Sequence, residues 1–169
     1  VTQKLDGNRC VVFNDVNSIK AFTRQGQVYE GLVDIENEFK FLPKGFVYDG
    51  ELIATNEEHL KSKDLYRKTT SIVRKDGVKT GVVFHVFDVL PIEDFEKGLS
   101  EYLCKERKDF LHKSLIDAKV NWIQEVPVLY YGTDKDQVIR WLNYMTDRNY
   151  EGVMCNLANA PYSCKRTSD

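Results

Sequence analysis

Two apolar runs, "GFVYDGELIA" (Gly45 to Ala54) and "GVVFHVFDVL" (Gly81 to Leu90), constrain this chain more than any other feature. Both are rich in β-branched and aromatic residues, so both are expected to be strands. Each also carries acid where a buried strand tolerates it least. The alternation Val47, Asp49, Glu51, Ile53 predicts that both acids of the first run share one face of a regular strand. In the second run Asp88 interrupts the most apolar stretch of the chain, which is expected to be buried on both faces, with Phe87 opposite Asp88. A carboxylate in such a place is costly unless it meets solvent, an ion pair, a metal or a ligand hydroxyl.

The remaining pattern supplies the partners of these strands. "RCVVFND" (Arg9 to Asp15) and "AFTRQGQ" (Ala21 to Gln27) read as a hairpin. Between Tyr29 and Leu42 the residues Leu32, Val33, Ile35, Phe39 and Leu42 recur at helical spacing, and Pro43 ends the run. Further helices are expected over 57–70 and 101–116, with a strand from Trp122 to Val126. Thr133 and Asp136 fit a capping box opening a helix that carries Val138, Trp141, Leu142 and Met145, and "YEGVMCNL" (Tyr150 to Leu157) is a final strand. Strands in neighbouring pairs with helices between them predict an α+β domain of antiparallel β-sheets flanked by helices.

With 169 residues the chain fits one domain, and neither repeat nor linker divides it. A composition 42% hydrophobic and 30% charged excludes a disordered tail. The net charge of −2 gives no overall positive field, so nucleic acid would have to be bound by a local patch. Lys61, Lys63, Arg67, Lys68, Arg74, Lys75 and Lys79, against Asp64 and Asp76, form one stretch able to follow a phosphate backbone; it fits a solvated helix and turn equally well. No apolar run approaches a membrane span and no signal-peptide pattern opens the sequence, so no membrane partner is expected. Cys10, Cys104, Cys155 and Cys164 lack C-x-x-C spacing and the histidines are scattered, which removes a zinc signature and predicts reduced thiols in a cytosolic or nuclear-type compartment.

Chemistry concentrates in "QKLDGNR" (Gln3 to Arg9). A lysine that attacks must first lose its proton, which requires a pKa depressed by burial or by a cationic neighbour. Arg9 is placed to be that neighbour for Lys4 while also binding phosphate, and Gly7 would let the backbone approach a ligand. Asp6 either orients Lys4 or caps the turn. In "YEGVM" Glu151 opens an apolar strand with Val153 on its face and Met154 on the other. Two separated carboxylates, Glu51 and Glu151, suit Mg2+, which keeps several waters and takes up phosphate oxygens.

Taken in order, K-x-D-G-x-R, D-G-E, F-D and E-G-V-M resemble the covalent nucleotidyltransferase superfamily, most closely the ATP-dependent DNA ligases of viral and phage type. The resemblance covers nearly the whole chain and implies an ATP-grasp-like adenylation domain. It implies that Lys4 attacks the α-phosphate of ATP to form lysyl-AMP, with Asp6 and Arg9 as further catalytic residues. It implies a nucleotide held by Gln3, Lys4, Leu5, Arg9, Arg24, Glu51, Phe87, Met154 (or Val153) and Arg166, with Phe87 stacked on adenine and Mg2+ at Glu51 and Glu151. The implied partner is nicked duplex DNA, gripped through phosphates by a monomer.

Some positions depart from the family pattern. Thr23 replaces the serine of S-R-x-G, Thr2 stands where an acid or glutamine is common, and Asn156 stands where many relatives carry the lysine of E-G-x-x-x-K. A K-x-K motif and a following OB-fold domain are missing, so residues 1–169 are expected to be the adenylation domain of a longer, intracellular ligase, with a viral or phage origin fitting this type. "KLDG" leans away from the K-T-D-G of capping enzymes, and Arg9 favours ATP over NAD. An RNA ligase of the same superfamily is the nearest alternative; a catalytically silent nucleotide- or DNA-binding module is the alternative from another class.

Overall fold

The computed structural model describes residues 1–163. In chain order the elements are β1 (Thr2–Lys4), β2 (Asn8–Asn14), β3 (Ile19–Phe22), β4 (Val28–Tyr29), α1 (Val33–Glu38), a 3-10 turn (Phe39–Phe41), β5 (Phe46–Ala54) and α2 (Ser62–Val73). There follow β6 (Val82–Pro91), α3 (Ile92–Lys97), β7 (Leu99–Ser100), α4 (Cys104–Ala118), β8 (Ile123–Glu125), α5 (Lys135–Asp147), β9 (Gly152–Met154) and β10 (Tyr162–Ser163). This is an α+β architecture. The main sheet runs β4-β3-β2-β5-β6-β8, and β1-β9 and β7-β10 form two-stranded sheets of their own. Pairing is antiparallel except that β8 lies parallel to β6.

One face of the main sheet builds the core. Cys10 and Val12 of β2, Tyr48 and Leu52 of β5, and Phe84, Val86 and Val89 of β6 meet Leu32, Ile35, Phe39 and Leu42, with Val73 of α2 and Leu111 of α4. The helical spacing of Leu32, Ile35 and Phe39 thus points inward as expected, although the helix is short and tightens into the 3-10 turn before Pro43. Phe39 and Tyr48 meet edge to face with centroids 5.1 Å apart. Each fully buried side chain of this size contributes about 1.5–3 kcal/mol.

The opposite face is apolar only at one end, where Val11, Val47 and Leu90 pack with Phe13, Ile92, Phe95 and Tyr162. The second apolar run is therefore not buried on both faces. In β6 the buried Val82, Phe84 and Val86 alternate with half-buried Val83, His85 and Phe87. Register explains the rest: Asp49 pairs with Asp88, but Gly50 pairs with Val86, leaving Phe87 as the extra residue of a β-bulge. Val86 and Val89 both face the core, so Phe87 and Asp88 both turn to the other side. Strict alternation would have separated them, and the bulge overturns that expectation.

Local chemistry moves other boundaries. Asn56 accepts from the Leu60 amide at 2.7 Å and donates to the Leu60 carbonyl, and His59 takes a left-handed φ of 54°, so α2 starts at Ser62 and not at 57. Asp134, not Thr133, caps α5 by accepting from the Asp136 amide at 2.9 Å. β3 stops at Phe22, and Thr23 to Gln27 form the tight turn to β4, with Gly26 at φ 84°. The strand expected over Tyr150 to Leu157 shortens to Gly152–Met154 and pairs with β1, an element the sequence pattern does not announce, and it is not the last, since β10 follows and pairs with β7.

Candidate active site

The polar face of the sheet floors a cleft of about 1690 Å³. Gln3, Lys4, Leu5, Gly7, Arg9, Arg24, Glu51, Phe87, Asp88 and Met154 line it, with Arg74, Lys75, Arg107 and Lys108. Residues spread from β1 to β9 thus reach one space. β2 contributes Arg9 directly opposite Glu51 of β5, while β6 contributes the bulge.

Lys4 ends β1, opposite Gly152 of β9, and this pairing carries Glu151 beside it. The Lys4 Nζ lies 2.7 Å from Glu151 Oε1, and the lysine side chain is 48% exposed. The hydrogen bond that Lys4 donates to Glu151, reinforced by the carboxylate charge, raises the Lys4 pKa. The expected depression is therefore not met, for two physical reasons. Lys4 is too exposed for burial to dominate, and Arg9 is engaged elsewhere. Arg9 Nε donates to Asp49 Oδ1 at 2.7 Å and its Nη2 donates to Oδ2, a two-pronged ion pair with a carboxylate only 1% exposed. The same guanidinium sits 5.8 Å from the centroid of the Phe87 ring.

Glu51 shares its face with Asp49, as the alternation predicts. Burial pushes its carboxyl up to about 7, against the pull of Arg9, and its Oε2 is buried without a hydrogen-bond partner. Such an oxygen is costly unless a ligand or cation meets it. Glu51 and Glu151 also influence each other electrostatically. No group of three or more metal-ligating side chains occurs among the described residues. Two carboxylates with one orphaned oxygen nevertheless fit Mg2+, whose remaining ligands are water and phosphate.

Gly7, on the cleft wall, is also required by packing. A Cβ there would lie 2.5 Å from the Leu52 carbonyl oxygen, 2.8 Å from Ile53 Cγ1 and 3.3 Å from Glu51 Oε2. The glycine lets the Lys4 loop press onto β5 beside Glu51. Gly50 does the same for the β5–β6 contact, since its Cβ would come 2.1 Å from the His85 carbonyl oxygen. Asp6 turns away from the cleft and accepts from Ser62 Oγ at 3.0 Å, tying the loop to the start of α2.

Arg24 reaches the cleft from the β3–β4 turn, and Met154, not Val153, lines it from β9. Asn156 is also on the wall. Arg166 lies outside the described residues. The basic stretch after residue 60 divides. Lys68 binds Glu58 and the Thr55 carbonyl, Arg67 lies 3.7 Å from Asp64, and Lys79 is 6% exposed, donating to the Glu30 carbonyl. Of that stretch Arg74 and Lys75 join Arg24 at the cleft, where Lys79 also lies but is buried against backbone carbonyls. Sequence pattern missed Arg107 and Lys108. They sit in a charge-rich helix whose buried face mixes Cys104, Arg107, Leu111 and Ser114, and only the fold turns them to Asp88 and Phe87.

A family model described as ATP dependent DNA ligase domain matches residues 1–169. Among solved structures, Pmar-Lig_Pre is 27% identical with a TM-score of 0.78, over 98% of this chain and 40% of that one. The Chlorella virus DNA ligase-adenylate is 15% identical with a TM-score of 0.68, over 98% of this chain and 56% of that one. The ATP-dependent DNA ligase from bacteriophage T7, in complex with ATP, is 16% identical with a TM-score of 0.60, over 85% of this chain and 52% of that one. The last two likenesses establish a shared fold. The chain spans 40% of the length of Pmar-Lig_Pre and little more than half of the other two. No curated protein matches it.

Proposed function

The chain belongs to the family of ATP-dependent DNA ligase domains, and from that premise we propose that it is the adenylation domain of a DNA ligase, with Lys4 as the residue that becomes adenylated. The observation that carries this reading is the convergence of Lys4, Arg9, Glu51, Phe87 and Met154 on one cleft, with Glu151 bonded to the lysine. Attack by Nζ forms an N–P bond to the α-phosphorus of ATP, breaks the bond from that phosphorus to the bridging oxygen, and releases pyrophosphate. Nζ must first shed a proton, and Glu151 at 2.7 Å is the nearest acceptor. AMP then passes to the 5′-phosphate at a nick, freeing Lys4, and attack by the 3′-hydroxyl forms the phosphodiester and releases AMP.

In this reading Phe87 stacks on adenine with Met154 across from it, flanked by Gln3 and Leu5. Arg9 and Arg24 face phosphate, where positioning and charge neutralisation do most of the work of phosphoryl transfer. Glu51 and Glu151 would hold Mg2+, which when bound neutralises phosphate charge and removes the penalty on the orphaned Glu51 oxygen. Arg24, Arg74 and Lys75 form the basic rim for the nucleic acid, and DNA is the substrate supported by the family.

The test is incubation of the full-length protein with Mg2+ and α-labelled ATP. Label should survive denaturation, should not come from GTP, and should vanish in Lys4→Ala. Label retained in Lys4→Ala would overturn the assignment. Nick sealing on DNA and RNA duplexes separates the two ligase readings.

A further inference from the structure

We propose that Lys108 of α4 is a positioning residue for adenine recognition, because it fixes the β6 bulge that turns Phe87 into the cleft; this rests on the nucleotide reading of that cleft. The bulge is a local departure from sheet pairing, and such departures need outside support to hold one geometry. Strand β8 pairs with β6 only from Phe84 to Val86, so the sheet edge is uncovered where the extra residue begins. Two consecutive side chains of α4 take over at that point. Lys108 Nζ donates to the Phe87 carbonyl. Arg107 Nε donates to Asp88 Oδ1 at 2.8 Å and Nη2 donates to Oδ2 at 3.3 Å.

The two supports differ in kind. Arg107 is buried and also donates to the Tyr102 and Ala160 carbonyls, so it holds several segments together. Lys108 is half-buried and makes its hydrogen bond to the backbone of the very residue whose ring faces the cleft. Deprived of that donor, the Phe87 peptide is free to rotate toward solvent, carrying its ring off the guanidinium of Arg9, now 5.8 Å from its centroid. Lys108 therefore acts on the base through Phe87.

Lys108→Met and Lys108→Arg in the full-length protein test this, with adenosine as the probe. Adenosine carries no phosphate, so loss of a positive charge alone leaves its binding unchanged. In Lys108→Met, amide exchange at Phe87, Asp88 and Val89 should quicken about tenfold or more while β2 stays protected. The inhibition constant of adenosine against self-labelling by ATP should rise about five- to tenfold, with the rate at saturating ATP within about twofold. Lys108→Arg should restore both. Unchanged exchange, or weaker ATP use with unchanged adenosine inhibition, would overturn the proposal. Absence of self-labelling in the unsubstituted protein would instead sink the nucleotide reading, and the exchange measurement would still decide whether Lys108 holds the bulge.

Discussion

Glu51 and His85 are cross-strand partners on β5 and β6, and burial moves their protonation in opposite senses. The Glu51 carboxyl is pushed up to about 7 and the His85 imidazole down to about 4. Between about pH 4.5 and 7 the folded chain holds the Glu51 proton more tightly than the unfolded chain does, so this group lowers stability as pH rises. Between about pH 6.5 and 4 the unfolded chain protonates His85 and the folded chain resists, so this group lowers stability as pH falls. The two slopes oppose one another where the windows overlap. Glu51→Gln should therefore leave a melting temperature that climbs from pH 4.5 to 6.5, and His85→Gln one that declines. Parallel curves for both variants and the parent would refute this. Gly7 is the other residue whose identity geometry dictates. Gly7→Ala should cost about 1–3 kcal/mol in denaturant titration, because the Leu52 carbonyl cannot yield the space. Self-labelling should fall at least about tenfold, since the loop that moves carries Lys4.

At the scale of elements, α4 holds the second strand of the site in place. Its first turn is capped by Glu106, whose carboxylate accepts from the Leu103 amide at 2.7 Å. Its Arg107, 6% exposed, pairs with Asp88 and faces the ring of Tyr162 at 5.5 Å. Removing one member of a buried pair strands the other charge. Arg107→Met alone should cost about 3–5 kcal/mol, and adding Asp88→Asn should recover a large part of it. Additive losses in chemical denaturation would show that the pair is not coupled. Much of this level was legible beforehand. The β-branched runs became β5 and β6, and the spacing of Leu32, Ile35 and Phe39 gave α1 and its turn. The bulge was not, because nothing in "VFHVFDVL" marks where the partner strand will skip a residue.

For the whole molecule, charge is distributed more tellingly than its sum. A net charge of −2 coexists with Arg24, Arg74 and Lys75 at one cleft. If the proposed ligase reading holds, binding of nicked duplex should weaken steeply with salt, and the doubly substituted Arg74→Ala, Lys75→Ala protein should lose about 1–2 from the slope of log K against log salt. An unaltered slope would move the DNA path away from this rim. Substituting Lys79 should instead destabilise the fold, since it is buried against backbone carbonyls.

The amino-acid sequence by itself determined the fold class and marked out the candidate residues, since periodicity and short motifs are written in neighbouring positions. Lys4, Arg9, Glu51, Phe87 and Glu151 could be singled out in this way. Tertiary structure alone decided what surrounds them. It pairs β1 with β9 from opposite ends of the chain, so that Lys4 meets Glu151 and its proton is held rather than loosened. It gives Arg9 to Asp49, hides Lys79, and brings α4 under the bulge that redirects Phe87. These outcomes depend on contacts between distant residues, where burial and pairing set charge and direction, and no local pattern encodes them.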